Sequence, residues 1–567
     1  MAAPTSLQQI DLSHPPGKKY FNCEREWRED FIYFLMTDRF QDSKTRVPVG
    51  GAARSVGLAT DNSFYGGTIR GVTNNLAYIA GLGCTAIWLS PVLEANSYHG
   101  YDINNYLDID ANFGTKQDLV DLVAAAHSFT KDGKPWPIRI ILDVVINHSG
   151  DNWGYPGGFP YFYSGGQQFP FGSWHRADRP LPVELQNPDF YHRRGEMRNY
   201  DSSPENQLGD MDSLKDYEND DDAIGSEVIN ALIMIFCYWI READVDGFRV
   251  DAVKHMGPVA CSRFCSNVRE YAYALGKRRF FLFGEVATPA DDIYNSYLGP
   301  NTSVQIGNDT VFFGLDSVLD FRLAEGVYDD ADNAPLPKIL KGQNGPQGLF
   351  NRLGLQLNRA LNRGELGRYL VSFVDNHDSF WQPTGRFANG ATDGQVIAGI
   401  GFILCALGTP CIYYGTEQGL SGSGGDTQMR EAMFDKTKTT SLLNTSCTIY
   451  QEIAKIAAVM RTEEALRFGR MYYRQISGDG VNFGLPFGSE YMLAFSRMLY
   501  SIEVLVAYNV SGSARRDSVI VDATLHPAGS TMEYLYGGVG SVTVQTAASG
   551  ARFVTLPLAA NEFVILR

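Results

Sequence analysis

Charged side chains gather where one apolar segment of the chain ends. Asp251 directly follows the segment Val245–Val250, Lys254 and His255 come a few residues later, and Arg249 lies within the segment itself. A buried strand needs no such groups, whereas a barrel of parallel strands places its chemistry at the carboxyl ends of its strands. For this segment taken alone, a solvated turn with ordinary ion pairs is the alternative interpretation.

Three other apolar segments end in the same way, with acids, histidines or amides at their carboxyl ends. Cleaving an acetal requires a proton for the leaving oxygen and a negative charge opposite an oxocarbenium-like centre, and two carboxylates can supply both. Four strand ends of this kind predict that their side chains converge on one acidic site. The three segments and the residues that follow them are Ile138–Ile146 with Asn147 and His148, Phe280–Gly284 with Glu285, and Leu370–Val374 with His377 and Asp378.

Motifs that contain these four strand ends occur in one order along the chain. They are DVVINH at 143–148, GFRVDAVKH at 247–255, GEV at 284–286 and FVDNHD at 373–378. The ordered set resembles the α-amylase family, glycoside hydrolase family 13. The resemblance implies an α/β fold, a (β/α)8 TIM barrel with a domain B inserted after strand 3 and a C-terminal antiparallel β-sandwich domain.

The resemblance also implies roles for the acids at the strand ends. Asp251 matches the nucleophile of a retaining mechanism, Glu285 the general acid/base, and Asp378 the third acid, which holds sugar hydroxyls in the transition state. Arg249 stands two residues before Asp251, so both side chains point to the same side of a strand. We therefore expect Arg249 to hold Asp251 ionised and to lower its pKa.

Five further residues match sugar-binding positions of the family. Tyr101 resembles the aromatic platform under the sugar next to the cleaved bond, and His148 and His377 resemble donors to glucose hydroxyls. Lys254 and His255 resemble the pair that lines the reducing-side subsites. Without the motifs, a single histidine at a strand end is more often a hydrogen-bonded core residue than a ligand-binding one.

Asp102 and Arg430 bear on which end of the substrate is bound. In exo-acting relatives such as oligo-1,6-glucosidases, an Asp and an Arg at similar positions pair across the site and bind the terminal glucose. We therefore hypothesise that Asp102 pairs with Arg430 and narrows the non-reducing side of the cleft. The alternative is that Arg430 is a surface residue and that Asp102 caps a turn.

Oxygen-bearing residues near the third and fourth strand ends match a structural calcium site of the family. Asn147, Asp210 and the backbone carbonyl of His255 occupy the matching positions, and ligands of this kind suit Ca²⁺. The remaining ligands are expected from domain B, and no organic cofactor is implied. A hydrogen-bonded polar cluster without metal is the alternative.

Composition changes along the chain predict three domains. The stretch after the third strand is rich in glycine, proline and aromatic residues and has no sustained period, which is typical of a functional insertion. Short β-rich runs separated by turn residues fill the C-terminal part. We predict the barrel at 1–148 and 216–464, domain B at 149–215 and the C-terminal β domain at 465–567.

The overall composition limits the partners and the compartment. The net charge of −16 and the pI near 5.1 argue against binding of nucleic acid or of an anionic membrane. The apolar window Ala231–Ile240 is too short to span a bilayer, and the amino terminus lacks the pattern of a secretory leader. We expect a cytoplasmic protein or a mature secreted chain without its leader. Cysteines without metal-site spacing favour the reducing compartment.

These observations lead to one leading function and two alternatives. The leading prediction is a retaining hydrolase of α-1,4-glucosidic bonds in starch or maltooligosaccharides, which acts through a covalent glycosyl-enzyme. A 4-α-glucanotransferase or another transglycosylase of the same family shares that intermediate and differs only in the acceptor. A non-catalytic carbohydrate-binding protein is the second alternative, against which the complete set of acids argues. No oligomeric state follows from the sequence.

Overall fold

The computed structural model describes residues 3–49, 61–163, 165, 168–288, 291–299, 303–306, 309–312, 314–324, 335–358, 370–379 and 385–567. Within them, eight parallel strands close into a barrel, which confirms the predicted (β/α)8 class. All eight strands are buried along their length, as expected for strands covered on both faces. The strands are β1 Ile32–Leu35, β2 Ala86–Leu89, β3 Arg139–Val144, β4 Gly247–Val250, β5 Phe281–Gly284, β6 Ser317–Leu319, β7 Leu370–Ser372 and β8 Thr409–Tyr413.

Helices alternate with the barrel strands and pack around them. Two of the longer helices start with Thr115 and Thr392, whose hydroxyls cap the first turn and form capping boxes. The α-helices are α1 Thr37–Phe40, α2 Ile69–Asn74, α3 Leu76–Leu82, α4 Lys116–His127, α5 Glu205–Leu208, α6 Ala223–Ala243, α7 Pro258–Ala274, α8 Asp291–Tyr297, α9 Phe321–Ala324, α10 Leu336–Leu340, α11 Gln347–Asn358, α12 Asp393–Cys405, α13 Asp426–Met429, α14 Thr448–Thr462 and α15 Glu464–Phe468.

Helix α6 is the longest of these, and it is apolar nearly all round. By length and composition alone it could cross a membrane, but 61% of its most apolar window is buried inside the protein. Phe236 on this helix packs edge-on against Phe248 of β4 and Phe264 of α7, with ring centroids 5.6 Å and 5.8 Å apart. The helix therefore packs as a core element between the barrel and its neighbouring helix.

The stretch between β3 and β4 leaves the barrel and returns beside its own starting point. His148–Ser149 pairs antiparallel with Lys215–Asp216, and inside this closure Trp153–Gly154 pairs with Ser173–Trp174. Helix α5 lies in the second half of the excursion and contacts the 3-10 turn after β4. The exact bounds of the three predicted domains stay a prediction.

Two antiparallel sheets follow helix α15, as predicted for the C-terminal part. Their strands are β9 Arg470–Tyr473, β10 Ile476–Ser477, β11 Met492–Leu499, β12 Ile502–Asn509, β13 Arg515–Val521, β14 Thr531–Tyr536, β15 Ser541–Thr543, β16 Gln545–Thr546, β17 Arg552–Leu558 and β18 Phe563–Leu566. One sheet has the order β9-β11-β12-β18-β14-β15 and the other the order β10-β13-β17-β16. Side chains of both sheets share one apolar cluster, which includes Leu505, Val519 and Val554.

Candidate active site

The register of the barrel brings the strand-end acids to one level. Arg249 of β4 lies beside Asp143 of β3, and the last residues of β4 and β5 lie beside each other. Asp251 and Glu285, which follow those last residues, therefore leave the sheet together. This is the carboxyl end of the barrel, where the sequence places the chemistry.

Arg249 is the centre of the site and binds three carboxylates. Its Nη1 donates to Asp143 Oδ1 at 2.9 Å and to Asp251 Oδ1 at 2.6 Å, and its Nη2 donates to Glu285 Oε2 at 2.6 Å. The backbone N–H of Ala252 also donates to Glu285 Oε2, at 3.2 Å. The planar guanidinium can hold several carboxylates in fixed positions because its donors form a rigid fork.

Burial and the shared guanidinium act in opposite directions on the charge state of the site. Burial raises the pKa of Asp251 well above its usual range; Arg249 lowers it, but Glu285 and Asp143 add like charge and raise it. Burial also raises the pKa of Asp143 to about 6. Arg249 lowers the pKa of Asp251 as predicted, but burial is the larger effect, and together with the neighbouring carboxylates it leaves this pKa raised.

Asp378 lies at the mouth of the site between a cation and an imidazole. Arg430 Nη2 donates to its Oδ1 at 2.9 Å, and His377 Nε2 lies 3.1 Å from its Oδ2. The hydroxyl of Tyr101 is 2.8 Å from the same Nε2 and donates to Asp143 at 3.0 Å. The third acid and the aromatic platform are thus connected to the carboxylates around Arg249.

The predicted pair between Asp102 and Arg430 is wrong. Arg430 is 6% exposed, follows helix α13 and donates to Asp378 and, at 3.2 Å, to Asp426. Asp102 turns back into its own loop, where the hydroxyl of Ser97 donates to it in a short hydrogen bond. Asp102 therefore has a local partner and is not among the residues that line the cleft.

The histidines of the site are neutral at neutral pH. Burial lowers the pKa of His148 and of His255 to about 4, and it lowers the pKa of His377 well below its usual range. Both ring nitrogens of His148 are buried without a hydrogen-bond partner among the described residues, and Nε2 lies 4.0 Å from Asp251. A neutral imidazole next to the predicted nucleophile is suited to bind a sugar hydroxyl.

A cleft of about 620 Å³ opens above these groups. One side of it comes from the excursion between β3 and β4: Asp201 accepts from Lys254 Nζ at 2.6 Å, and the carbonyl of Asn206 lies 2.8 Å from His255 Nδ1. Arg249 and His377 are not among the lining residues but contact them: Arg249 binds Asp251 and Glu285, and His377 contacts Tyr101 and Asp378. The predicted residues that line the cleft are Tyr101, His148, Asp251, Lys254, His255, Glu285, Asp378 and Arg430.

Asn147 and Asp210, two of the residues predicted to hold calcium, are buried and both contact Asp216. Asn147 Nδ2 donates to Asp216 at 3.0 Å, and its Oδ1 is a buried oxygen without a donor among the described residues. Asp210 accepts from the backbone N–H of Asp216 at 3.0 Å and from the hydroxyl of Tyr155 at 2.5 Å. An unsatisfied amide oxygen beside a buried carboxylate fits the oxygen ligands that Ca²⁺ prefers.

The sequence analysis missed some residues of the site. Asp143 opens the DVVINH motif, and an acid inside the apolar segment Ile138–Ile146 is the signal that could have identified it. Tyr200, Asp212 and Asp426 also line the cleft. Tyr200 and Asp212 lie in irregular loops and Asp426 begins the four-residue helix α13, where no period or motif indicates the direction of a side chain.

A comparison with known families decides the membership of this chain. The model of the alpha-amylase catalytic domain matches residues 34–449. This range includes strands β2 to β8 of the barrel in full and the last two residues of β1. The chain belongs to the alpha-amylase family. The match spans every residue that lines the cleft.

Individual members of the alpha-amylase family are similar over most of the chain. An alpha-amylase of Streptomyces lividans is 26% identical, with 95% of this chain and 60% of that protein covered, so the chain spans only part of this relative. A cyclomaltodextrin glucanotransferase of Thermoanaerobacterium thermosulfurigenes is 26% identical, with 94% and 67% covered. The solved alpha-amylase of Geobacillus thermoleovorans, complexed with acarbose, shares the fold with a TM-score of 0.67 at 23% identity, covering 96% and 99%.

Proposed function

We propose that this chain cleaves α-1,4-glucosidic bonds of α-glucans with retention of configuration. The observation that carries the proposal is the shared guanidinium, because Arg249 binds Asp251 and Glu285 through its two terminal nitrogens. Carboxylates held on one guanidinium lie close together. Retaining enzymes use a close pair, about 5–5.5 Å apart, whereas inverting enzymes leave room for a water with about 6.5–9.5 Å.

In the proposed first step, Asp251 attacks the anomeric carbon while Glu285 protonates the leaving glycosidic oxygen. A covalent glycosyl ester on Asp251 forms, and the leaving chain departs as an alcohol. In the second step, Glu285 takes a proton from water, which attacks the same carbon and releases Asp251. The attack requires ionised Asp251, and Arg249 is the cation that favours this form.

The remaining cleft residues hold the sugar around these steps. Tyr101 presents a ring that is stacked on His377, with centroids 5.4 Å apart, so its position is fixed before substrate binds. His148 offers neutral ring nitrogens, and Asp378 offers a carboxylate oriented by Arg430. Groups that are already in place bind the transition state without the cost of ordering them.

A second candidate is glycosyl transfer to a sugar hydroxyl instead of water. The similarity to a cyclomaltodextrin glucanotransferase favours it, because that relative covers nearly the whole chain. Lys254 and His255, each held by the excursion after β3, would contact an acceptor sugar on the reducing side. Both candidates use the same covalent ester and differ in the group that attacks it.

The absence of the pair between Asp102 and Arg430 bears on substrate length. That pair was the reason to expect a cleft closed around a terminal glucose. Since Asp102 is held by Ser97 instead, the proposal includes starch as well as short maltooligosaccharides. Asn147 and Asp210 would hold a structural calcium ion, which would connect β3 to the excursion that forms one wall of the cleft.

Product analysis tests the proposal and separates the two candidates. Chromatography after incubation with starch, maltoheptaose or cyclodextrins should show shorter linear oligosaccharides for a hydrolase. Longer or cyclic products at early times would instead identify a transferase. Proton NMR of the first products should show the α-anomer, and a β-anomer would exclude double displacement.

A further inference from the structure

A buried histidine outside the active site faces two carboxylates. His192 is 2% exposed, and its Nε2 lies 3.2 Å from Glu218 Oε1 and 3.8 Å from Asp220 Oδ1. No hydrogen bond within the described part of the chain satisfies this nitrogen. One ligand atom of each of the three residues lies within 4.8 Å of the others.

Backbone pairing brings His192 and Glu218 side by side. Tyr191 and Tyr217 form an antiparallel bridge, the N–H of His192 donates to the carbonyl of Asp216 at 3.2 Å, and Glu218 N–H donates to the carbonyl of Phe190 at 2.8 Å. This pairing places the histidine and the glutamate on adjacent segments.

Asp216 orients the imidazole from the other side. His192 Nδ1 is 2.5 Å from Asp216 Oδ2, while Asp216 Oδ1 accepts from Asn147 Nδ2 at 3.0 Å. A carboxylate that accepts from Nδ1–H lets Nε2 bind a metal ion once the ion has displaced any proton there, and this carboxylate–histidine arrangement is typical behind metal-bound histidines. Nε2 thus faces the carboxylates of Glu218 and Asp220.

We propose that His192, Glu218 and Asp220 form a binding site for a divalent transition metal, with zinc as the best-fitting ion. One imidazole and two carboxylates make a mixed N/O ligand set, which zinc accepts, whereas calcium prefers six to eight oxygens. A tetrahedral site with bonds of about 2.0–2.1 Å has ligand–ligand distances of about 3.3–3.4 Å, close to the two distances measured from Nε2. Asp220 is exposed, so water can complete the coordination.

Such an ion would join two parts of the chain. His192 lies within the excursion after β3, and Glu218 and Asp220 lie just before helix α6. The ion would fix the return of the excursion to the barrel at a point that Asp216 links to the calcium ligands Asn147 and Asp210. It would therefore stabilise the wall of the cleft without contact with substrate.

The test is a zinc titration of the full chain after removal of metals, in the presence of excess Ca²⁺. Calorimetry should show one zinc per chain for the wild type, and Glu218→Gln and Asp220→Asn should each weaken binding at least tenfold. Asp221→Asn is the matched control, because it removes the same charge from the neighbouring exposed residue. This control should bind zinc like the wild type.

X-ray absorption at the zinc edge of the wild-type protein keeps the proposal testable if the variants fail to fold. The expected first shell contains one imidazole nitrogen and several oxygens. The proposal is overturned by the absence of stoichiometric zinc, by a shell without imidazole, or by equal affinities of Glu218→Gln, Asp220→Asn and Asp221→Asn. Equal affinities would mean that zinc binds elsewhere, for example at His148 in the cleft.

Discussion

Replacing Arg430 tests how the third acid is held. Arg430→Gln removes the cation that donates to Asp378 at 2.9 Å and to Asp426 at 3.2 Å. Asp378 would keep His377 as a neighbour but would lose its only buried positive charge among the described residues. We expect kcat/KM on maltooligosaccharides to fall, because the carboxylate is no longer oriented towards sugar hydroxyls.

The size of the expected loss in kcat/KM follows from how deeply the ion pairs Arg430–Asp378 and Arg430–Asp426 are buried. Truncating one partner of a buried, hydrogen-bonded charge pair costs about 2–5 kcal/mol. The side chain of Asp378 is 23% exposed, so the lower part of that range applies, about 2–3 kcal/mol or a loss of about 30- to 150-fold in kcat/KM. The side chain of Asp426 is 43% exposed, and exposed pairs contribute about 0.2–1 kcal/mol, so Asp426→Asn should cost at most about fivefold.

Initial rates on maltotriose and maltoheptaose measure these effects, with melting temperatures as the control for folding. Arg430→Lys should lie between the wild type and Arg430→Gln, since a lysine keeps the charge and loses the fork. Asp102→Asn should change both substrates by no more than Asp426→Asn does. A loss in Asp102→Asn as large as that in Arg430→Gln, and greater on maltotriose, would refute the reasoning and restore the predicted pair.

Three further predictions concern the acids and the calcium ligands. Asp251→Asn should lower kcat by several orders of magnitude with the fold intact, and a variant that keeps a tenth of wild-type turnover would contradict its role as nucleophile. Asp143→Asn removes a negative neighbour that raises the pKa of Asp251, so the acid limb of kcat/KM against pH should move to lower pH; an unmoved limb would show that the two acids are not coupled. A strong chelator should lower the melting temperature and added Ca²⁺ should restore it, because an ion bound to Asn147 and Asp210 stabilises the folded state by mass action. An unchanged melting temperature and no calcium by elemental analysis would remove that proposal.

The barrel and the central acids could be predicted because the carboxyl ends of all the parallel strands lie at the same end of the barrel. Once Asp251 and Glu285 are assigned to strand ends, closure of the barrel brings them together whatever the loops do. Arg249 was predictable for the same reason, since alternation along β4 directs it to the side of Asp251. Its contact with Asp143 was not predicted, because it depends on the register between β3 and β4.

Predictions that depended on loops were less successful. Asp102 accepts a hydrogen bond from Ser97 in its own loop, a contact that the sequence does not indicate. The position of Arg430 depends on helix α13, which no apolar period predicts. Likewise, His192 and Glu218 are distant in sequence and meet only through a backbone bridge in an irregular excursion. The raised pKa of Asp251 could not be predicted from the sequence, because burial and the sharing of one guanidinium are properties of the folded site.

The most direct test of the central claim is to trap the covalent intermediate on Asp251. In Glu285→Gln, an α-maltosyl fluoride can still form the ester because fluoride leaves without a proton, while hydrolysis of the ester lacks its general base. Mass spectrometry of peptic peptides should then show a maltosyl adduct on the peptide that contains Asp251. The double variant with Asp251→Asn should show none. An adduct on another residue, or no adduct while β-maltose is released, would contradict the double-displacement account.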